Sequence, residues 1–302
     1  MQQSLRLRAG RPEGRSVGSG SMTPRVAMTI AGSDSGGGAG LEADLRTFAA
    51  YRVHGTVAIT AVTAQSTVAV TAVAPLEAEM VVAQILTVLD DIEVHGAKTG
   101  MLARPATIRA VGALAERGVL PPLVVDPVLV SSTGHALMEA GGAEAYREAL
   151  IPFAEVVTPN LLEAAVLLGL DVEALSSVEA MADAGRAILE LGATYCIVKG
   201  GHLLEGGVTA LRAPDVVVGP GHVVELDAPR VATTNDHGTG CSLAAATAAG
   251  LARGLATPLA IEEAKAFVHR AIEQAASWKL GRGHGPINHL GWGEGEAQGP
   301  LP

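Results

Sequence analysis

Thr234–Leu251 reads TNDHGTGCSLAAATAAGL: a polar turn ends in Gly238-Thr239-Gly240 and runs directly into small residues with helical character. The first N–H groups of a helix have no partner inside it, and the helix dipole makes that end partly positive. Glycines let an anion approach the backbone closely enough to use those donors, so the run predicts a phosphate site of the kind α/β folds place at a helix start. Cys241 follows at once. A thiol in a first helical turn is expected to favour its thiolate, which suits a base or nucleophile facing the anion. In isolation the same run is equally a glycine turn ahead of a packed helix, with Cys241 a small buried residue.

The rest of the chain supplies the context. RVAMTIAG (25–32) predicts a strand, SDSGGGAG (33–40) a glycine loop and 41–51 a helix. Strands follow at 56–64, 94–98, 123–126, 155–157 and 194–198, and helices at 77–91, 106–117, 139–150 and 177–191, with a further helix carrying Glu163. Met80, Val81 and Ile85 mark the apolar face of the helix over 77–91. Two or three short strands between 208 and 226 predict a local antiparallel excursion, and 258–278 a final helix. This alternation predicts a mostly parallel sheet with helices on both faces, its ligand loops gathered along one edge with the Gly238 turn. Gly38 to Ala43 formally matches a dinucleotide fingerprint, but no ribose-binding acid follows at the required distance.

Polar groups recur where these strands end: Gln65 after the second, Lys98 after the third, Asp126 after the fourth and Lys199 after the sixth. A carboxylate at a strand end suits magnesium, directly or through water, and a lysine emerging from a buried strand beside two glycines suits a phosphate. Asn160 and Glu163 stand one turn apart, either to share a ligand or to form a capping box. Cys196 lies within an apolar strand and reads as inert core.

Composition narrows the classes. With 302 residues, 48% hydrophobic content, 37 glycines and 3% aromatics, the chain describes a globular protein cored by Ala, Val and Leu. A net charge of -10 argues against general binding to nucleic acid or anionic membranes. Two distant cysteines fit neither a disulfide framework nor a zinc site and suit a reducing cytosol, so a cytoplasmic location is expected. Residues 1–24, with several arginines among Gly, Ser and Pro, are expected to be a disordered tail, 25–290 one domain, and 291–302 a flexible tail.

Taken together, AGSDSGGGAGLEADL, ITAVTAQST, AKTGML, VVDPVLVSSTG, TPNLLEA, VKGGH, NDHGTGCS and GHGPINH resemble, in order, the hydroxymethylpyrimidine and phosphomethylpyrimidine kinases of thiamine biosynthesis. The resemblance runs from about Val26 to His289 and implies a ribokinase-like three-layer α/β/α sandwich. It implies transfer of the ATP γ-phosphoryl group, with Mg2+, to 4-amino-5-hydroxymethyl-2-methylpyrimidine and then to its monophosphate. By the same resemblance, Asp44 and Gln65 contact the pyrimidine, while Gly32, Thr63, Met101 and Val128 shape its pocket. Lys199 and Asn160 serve ATP and phosphate, Asp126 and Glu163 the metal, Gly238, Thr239 and Gly240 the anion hole, and Cys241 is the base. Enzymes of this type often form homodimers. Asp236 departs from the family's NTHGTGC pattern, placing an acid where threonine is usual. A pyridoxal or pyridoxine kinase, sharing the scaffold, and a non-catalytic nucleotide or pyrimidine sensor are the competing readings.

Overall fold

The computed structural model describes residues 23–129, 138–201 and 211–293. The expected terminal tails lie almost wholly outside the described residues, as does His202 of the Lys199 loop. Strands β1 (Val26–Ala31), β2 (His54–Ile59), β5 (Gly96–Thr99), β6 (Leu123–Val125), β7 (Val156–Val157), β8 (Tyr195–Lys199), β9 (Asp215–Gly219) and β10 (His222–Leu226) form one eight-stranded sheet. Its order is β10-β9-β8-β7-β6-β5-β1-β2. The six strands from β2 to β8 pair parallel, and β9 and β10 close the edge as the expected antiparallel excursion.

Helices cover both faces because the strand residues alternate between two cores. Ala27, Val124, Val156, Ile197 and Val217 pack with Phe48 of α1 (Gly40–Ala50) and with α7 (Thr239–Ala252) and α8 (Thr257–Ala275). Met28, Ile30, Val125, Val157, Val198 and Val216 point the other way. There they meet α2 (Ala78–Asp91), α3 (Pro105–Glu116), α5 (Leu161–Leu168) and α6 (Val178–Leu189). The architecture is the ribokinase-like three-layer sandwich. Helix α7 is buried almost all round, as expected of a helix apolar on every side. Its small residues bring it close to the sheet: a Cβ on Gly96 of β5 would stand 2.7 Å from the Ala248 carbonyl oxygen.

Three expectations need correction. The strand over 56–64 is two strands: after Thr60, β3 (Ala61–Gln65) leaves the main sheet and pairs antiparallel with β4 (Val70–Pro75). Thr60 marks the break by donating its backbone N–H to Ala31 and its hydroxyl to the Met101 carbonyl at 2.5 Å. An apolar run reports burial but not which sheet supplies the partner, so the division is invisible in the sequence. The helix over 139–150 shortens to α4 (Gly142–Ala145) and continues as a π-helical turn over Tyr146–Leu150, because Gly141 at φ +85 starts it late. Met80, expected on the buried face of α2, is 54% exposed. Among the described residues no helix is long and apolar enough to cross a membrane.

Candidate active site

The carboxyl ends of the parallel strands and the start of α7 meet along one edge of the sheet. Gly238 sits before the first turn of α7 in the left-handed region at φ +85, and no side chain caps the helix. Its backbone packs directly on the glycine loop after β1, since a Cβ there would lie 1.9 Å from the Gly38 carbonyl oxygen. Gly40 is constrained likewise, at φ +57 with a Cβ position 2.4 Å from the Gly32 oxygen. The two glycine loops are therefore one unit. Gly238→Ala adds a left-handed strain of about 1–2 kcal/mol to a backbone collision and should push the loops apart. A shift of that size at a reaction centre costs on the order of a hundredfold in kcat. Urea unfolding beside steady-state kinetics would separate the two effects, and wild-type kinetics in this variant would mean that the loop contact is dispensable.

Beneath the first turn lies a charged cluster. The Cβ position of Gly240 is 3.1 Å from Lys199 Nζ, so the ammonium lies close against the bare Cα at the helix start. Lys199 Nζ donates to Asp126 Oδ1 at 2.9 Å and stands 3.9 Å from Glu163 Oε2, while Thr158 also donates to Asp126 Oδ1, at 3.1 Å. Asn160 and Glu163 form the capping box of α5, each accepting the other's backbone N–H at 2.8 Å. Burial pushes the Glu163 carboxyl up to about 7; Lys199 opposes this and Asp126 adds to it.

Cys241 behaves differently from the expectation of a favoured thiolate. Burial pushes its thiol up to about 11, and Asp126 and Asp44 act in the same direction. Lys98 and the Gly40 N–H pull the other way without prevailing. Desolvation thus outweighs the helix start. Cys196, read as inert core, is fully buried and its thiol is raised by burial alone.

On the side expected to hold the pyrimidine, Gly32 makes room for Met101, whose Cε lies 2.3 Å from the glycine's Cβ position. Thr63 donates its hydroxyl to the Ser33 carbonyl at 2.9 Å, and Gln65 ends β3 half-buried. Val128, in the turn after Asp126, is also half-buried. Asp44 is placed otherwise than a ligand contact would be: it is fully buried, with both carboxylate oxygens 2.9–3.0 Å from Lys98 Nζ and one accepting from Thr29 at 2.6 Å. Burial alone would lower the Lys98 ammonium, but the Asp44 carboxylate outweighs it and holds it above its ordinary value. Asp236 is held by His284 at 2.7 Å, which ties the α7 loop to the late GHGPINH segment.

Asp34, passed over in the sequence, organises the glycine loop. Its carboxylate accepts N–H groups from Gly36, Gly38 and Ala39 at 2.8–3.0 Å and contacts His237 Nε2 at 2.9 Å. An Asp followed by small residues with free N–H groups was the available signal.

Solved structures with this architecture include small-molecule kinases. The chain is 35% identical to a Staphylococcus aureus pyridoxal kinase in complex with AMP-PCP and pyridoxal, covering 90% of this chain and 96% of that one, with a TM-score of 0.79. A phosphomethylpyrimidine kinase from Clostridium difficile is 35% identical over 82% of this chain and 98% of that one, with a TM-score of 0.70. The fold is that of a ribokinase-like phosphotransferase. A family model described as phosphomethylpyrimidine kinase matches residues 34–288. A Rhizobium meliloti protein named hydroxymethylpyrimidine/phosphomethylpyrimidine kinase is 46% identical over 266 residues, covering 88% of this chain and 97% of its own. The chain belongs to the phosphomethylpyrimidine kinase family, and these relatives favour turnover over sensing.

Proposed function

We propose that one kinase domain, about residues 25–290, phosphorylates the hydroxymethyl group of 4-amino-5-hydroxymethyl-2-methylpyrimidine and then the resulting monophosphate, using ATP. The observation that carries this reading is the approach of Lys199 Nζ to the first turn of α7 across the bare Cα of Gly240. Helix-start donors and a lysine then face one point, the arrangement that stabilises charge on a transferring phosphoryl group. The substrate oxygen bonds to the γ-phosphorus, the bond to the β-phosphate oxygen breaks and ADP leaves. Cys241 takes the hydroxyl proton. Gln65, Thr63, Met101, Gly32 and Val128 frame the ring, while Asp44 stays buried against Lys98.

Asp126 and Glu163 fit Mg2+. Two carboxylates converge on one ammonium, leaving the cluster net negative; the Glu163 carboxyl is raised first by burial, with Asp126 adding to it against the pull of Lys199. Among the described residues no three acidic, His or Cys side chains form a metal cage. That suits a cation which usually takes one or two carboxylates and completes its shell with water and substrate phosphates. When bound, Mg2+ would supply neutralisation of phosphate charge, while Asn160 and Thr158 hold the two carboxylates in place.

Glu163→Gln is a clean test because glutamine can still accept the Asn160 N–H in the capping box. The expected result is a ten- to hundredfold loss in kcat/KM for Mg-ATP. Stability should change with the opposite sign. A carboxyl raised to about 7 stabilises the fold only below its ordinary value and loses that contribution as pH rises through 7. The Gln variant should therefore gain on wild type between about pH 5 and pH 8 in thermal unfolding. An unchanged Mg-ATP dependence would leave Glu163 a capping residue alone.

The competing reading is pyridoxal kinase activity, kept by the likeness to the Staphylococcus aureus enzyme. Mass spectrometry of products from the aminopyrimidine alcohol and from pyridoxine with Mg-ATP decides between them. Aminopyrimidine mono- and diphosphate are expected, and a higher kcat/KM for pyridoxine would overturn the assignment. We also propose that the enzyme works in the cytoplasm as a homodimer, binding neither nucleic acid nor membrane. The net charge of -10 supports the last two points, and sedimentation tests the homodimer.

A further inference from the structure

The polar chain Asp34–His237–Gln65 links the glycine loop after β1 to the loop before α7 and to the end of β3, and phosphoryl transfer makes no use of it. His237 Nε2 lies 2.9 Å from Asp34 Oδ2 and 3.2 Å from Gln65 Nε2. The ring packs on Gly38, where a Cβ would come within 2.4 Å of His237 Cδ2. Burial by itself would raise the Asp34 carboxyl, but His237 and the Gly36 and Ala39 N–H groups outweigh it and hold it below its ordinary value. An ionised carboxylate only accepts hydrogen bonds, so His237 Nε2 carries its proton and donates to Asp34.

That proton decides the orientation of Gln65. A nitrogen that donates to Asp34 cannot accept from the Gln65 amide. At the other end, Gln65 Oε1 lies 3.3 Å from Thr63 Oγ1, whose single proton is committed to Ser33. The orientation of a side-chain amide follows from its partners. Turning this one about its last bond satisfies every group: the carbonyl shares the His237 N–H, and the NH2 donates to Thr63 Oγ1. One N–H and one carbonyl lone pair then remain for a ligand, in a fixed order.

We infer that His237, anchored on Asp34, is a positioning residue for substrate selection: it locks the Gln65 amide so that it reads a ring nitrogen and an adjacent exocyclic amine together. This rests on the proposed reading, in which Gln65 faces the ring. An aminopyrimidine presents such an acceptor–donor edge, just as adenine does to a bidentate amide. The ring nitrogen of pyridoxine is flanked by a methyl group and a C–H, so it can use only one arm of the amide. A site built for two hydrogen bonds discriminates against the ligand that makes one.

The test compares wild type with His237→Ala and His237→Gln, the latter keeping a terminal N–H donor. kcat and KM are measured for the aminopyrimidine alcohol, pyridoxine and ATP. His237→Ala should raise KM for the aminopyrimidine about tenfold, the worth of one hydrogen bond, with kcat and the pyridoxine and ATP values little changed. His237→Gln should recover most of the loss. Gln65→Leu should remove the effect of a second change at 237, since the two act as one unit; this holds even if His237→Ala alone is poorly folded and only the Gln variant is measurable. Equal losses on both rings, a loss in kcat alone, absence of rescue, or additivity with Gln65→Leu each overturn the inference. A wild type that prefers pyridoxine would instead overturn the proposed function, and the inference would still be judged by whether the ratio of the two kcat/KM values moves.

Discussion

Cys241→Ala lowers kcat by about two to four orders of magnitude while leaving KM for ATP near its wild-type value, if the thiol is the general base. Its thiol is pushed up to about 11 by burial, so at neutral pH only a small fraction is thiolate. The active fraction grows as the thiol ionises. For wild type, kcat/KM should therefore climb about tenfold per pH unit from neutrality toward pH 9, and the alanine variant should lose that climb. The residual rate measures what the helix start, Lys199 and the metal achieve by charge alone, since phosphoryl transfer asks little covalent chemistry of the protein. A pH profile unaltered by the substitution would make Cys241 a packing residue and direct attention to Asp236, whose carboxylate sits on the same loop against His284.

Lys199→Met is expected to damage both fold and function. Its ammonium is the positive partner that Asp126 and Glu163 share, and Asp126 is almost fully enclosed. Removing one member of a buried pair strands the remaining charge. Because Lys199 keeps a little exposure to solvent, the cost should sit near the low end of the usual range, about 3 kcal/mol at pH 8. It should shrink toward pH 5, where protonated Glu163 no longer needs a partner. Independently, kcat should fall by about a hundred- to a thousandfold, the loss usual for one donor to a developing anion. Urea titrations at the two pH values and kinetics at saturating Mg-ATP measure these effects separately. A stable but inactive variant would assign Lys199 to phosphate alone, and an unstable one with near-normal turnover would assign it to the fold.

Local chemistry made some of this legible early. Asn160 and Glu163 were open to two readings, a shared ligand or a capping box; the box is present, and the same Glu163 also stands 3.9 Å from Lys199. A residue three positions from an N-cap is constrained by its neighbours along the chain, so that part was written locally. Nothing comparable announced the π-helical turn at Tyr146–Leu150 or the departure of β3 from the main sheet, which depend on partners distant in sequence. The Cys241 expectation shows the limit in energetic terms. Its position at a helix start was readable, whereas the burial that overrides that position was not.

The sequence by itself determined the alternation of strands and helices, the glycines that admit a phosphate, and the residue types waiting at the strand ends. Those features repeat or adjoin one another along the chain, and periodicity and turn chemistry act over just that range. Tertiary structure alone decided which polar groups hold one another: Asp44 with Lys98 across 54 residues, Asp126 with Lys199 across 73, and Asp34 with His237 across 203. A buried charge must be satisfied by whatever the fold brings beside it, and a one-dimensional pattern carries no distance between such partners.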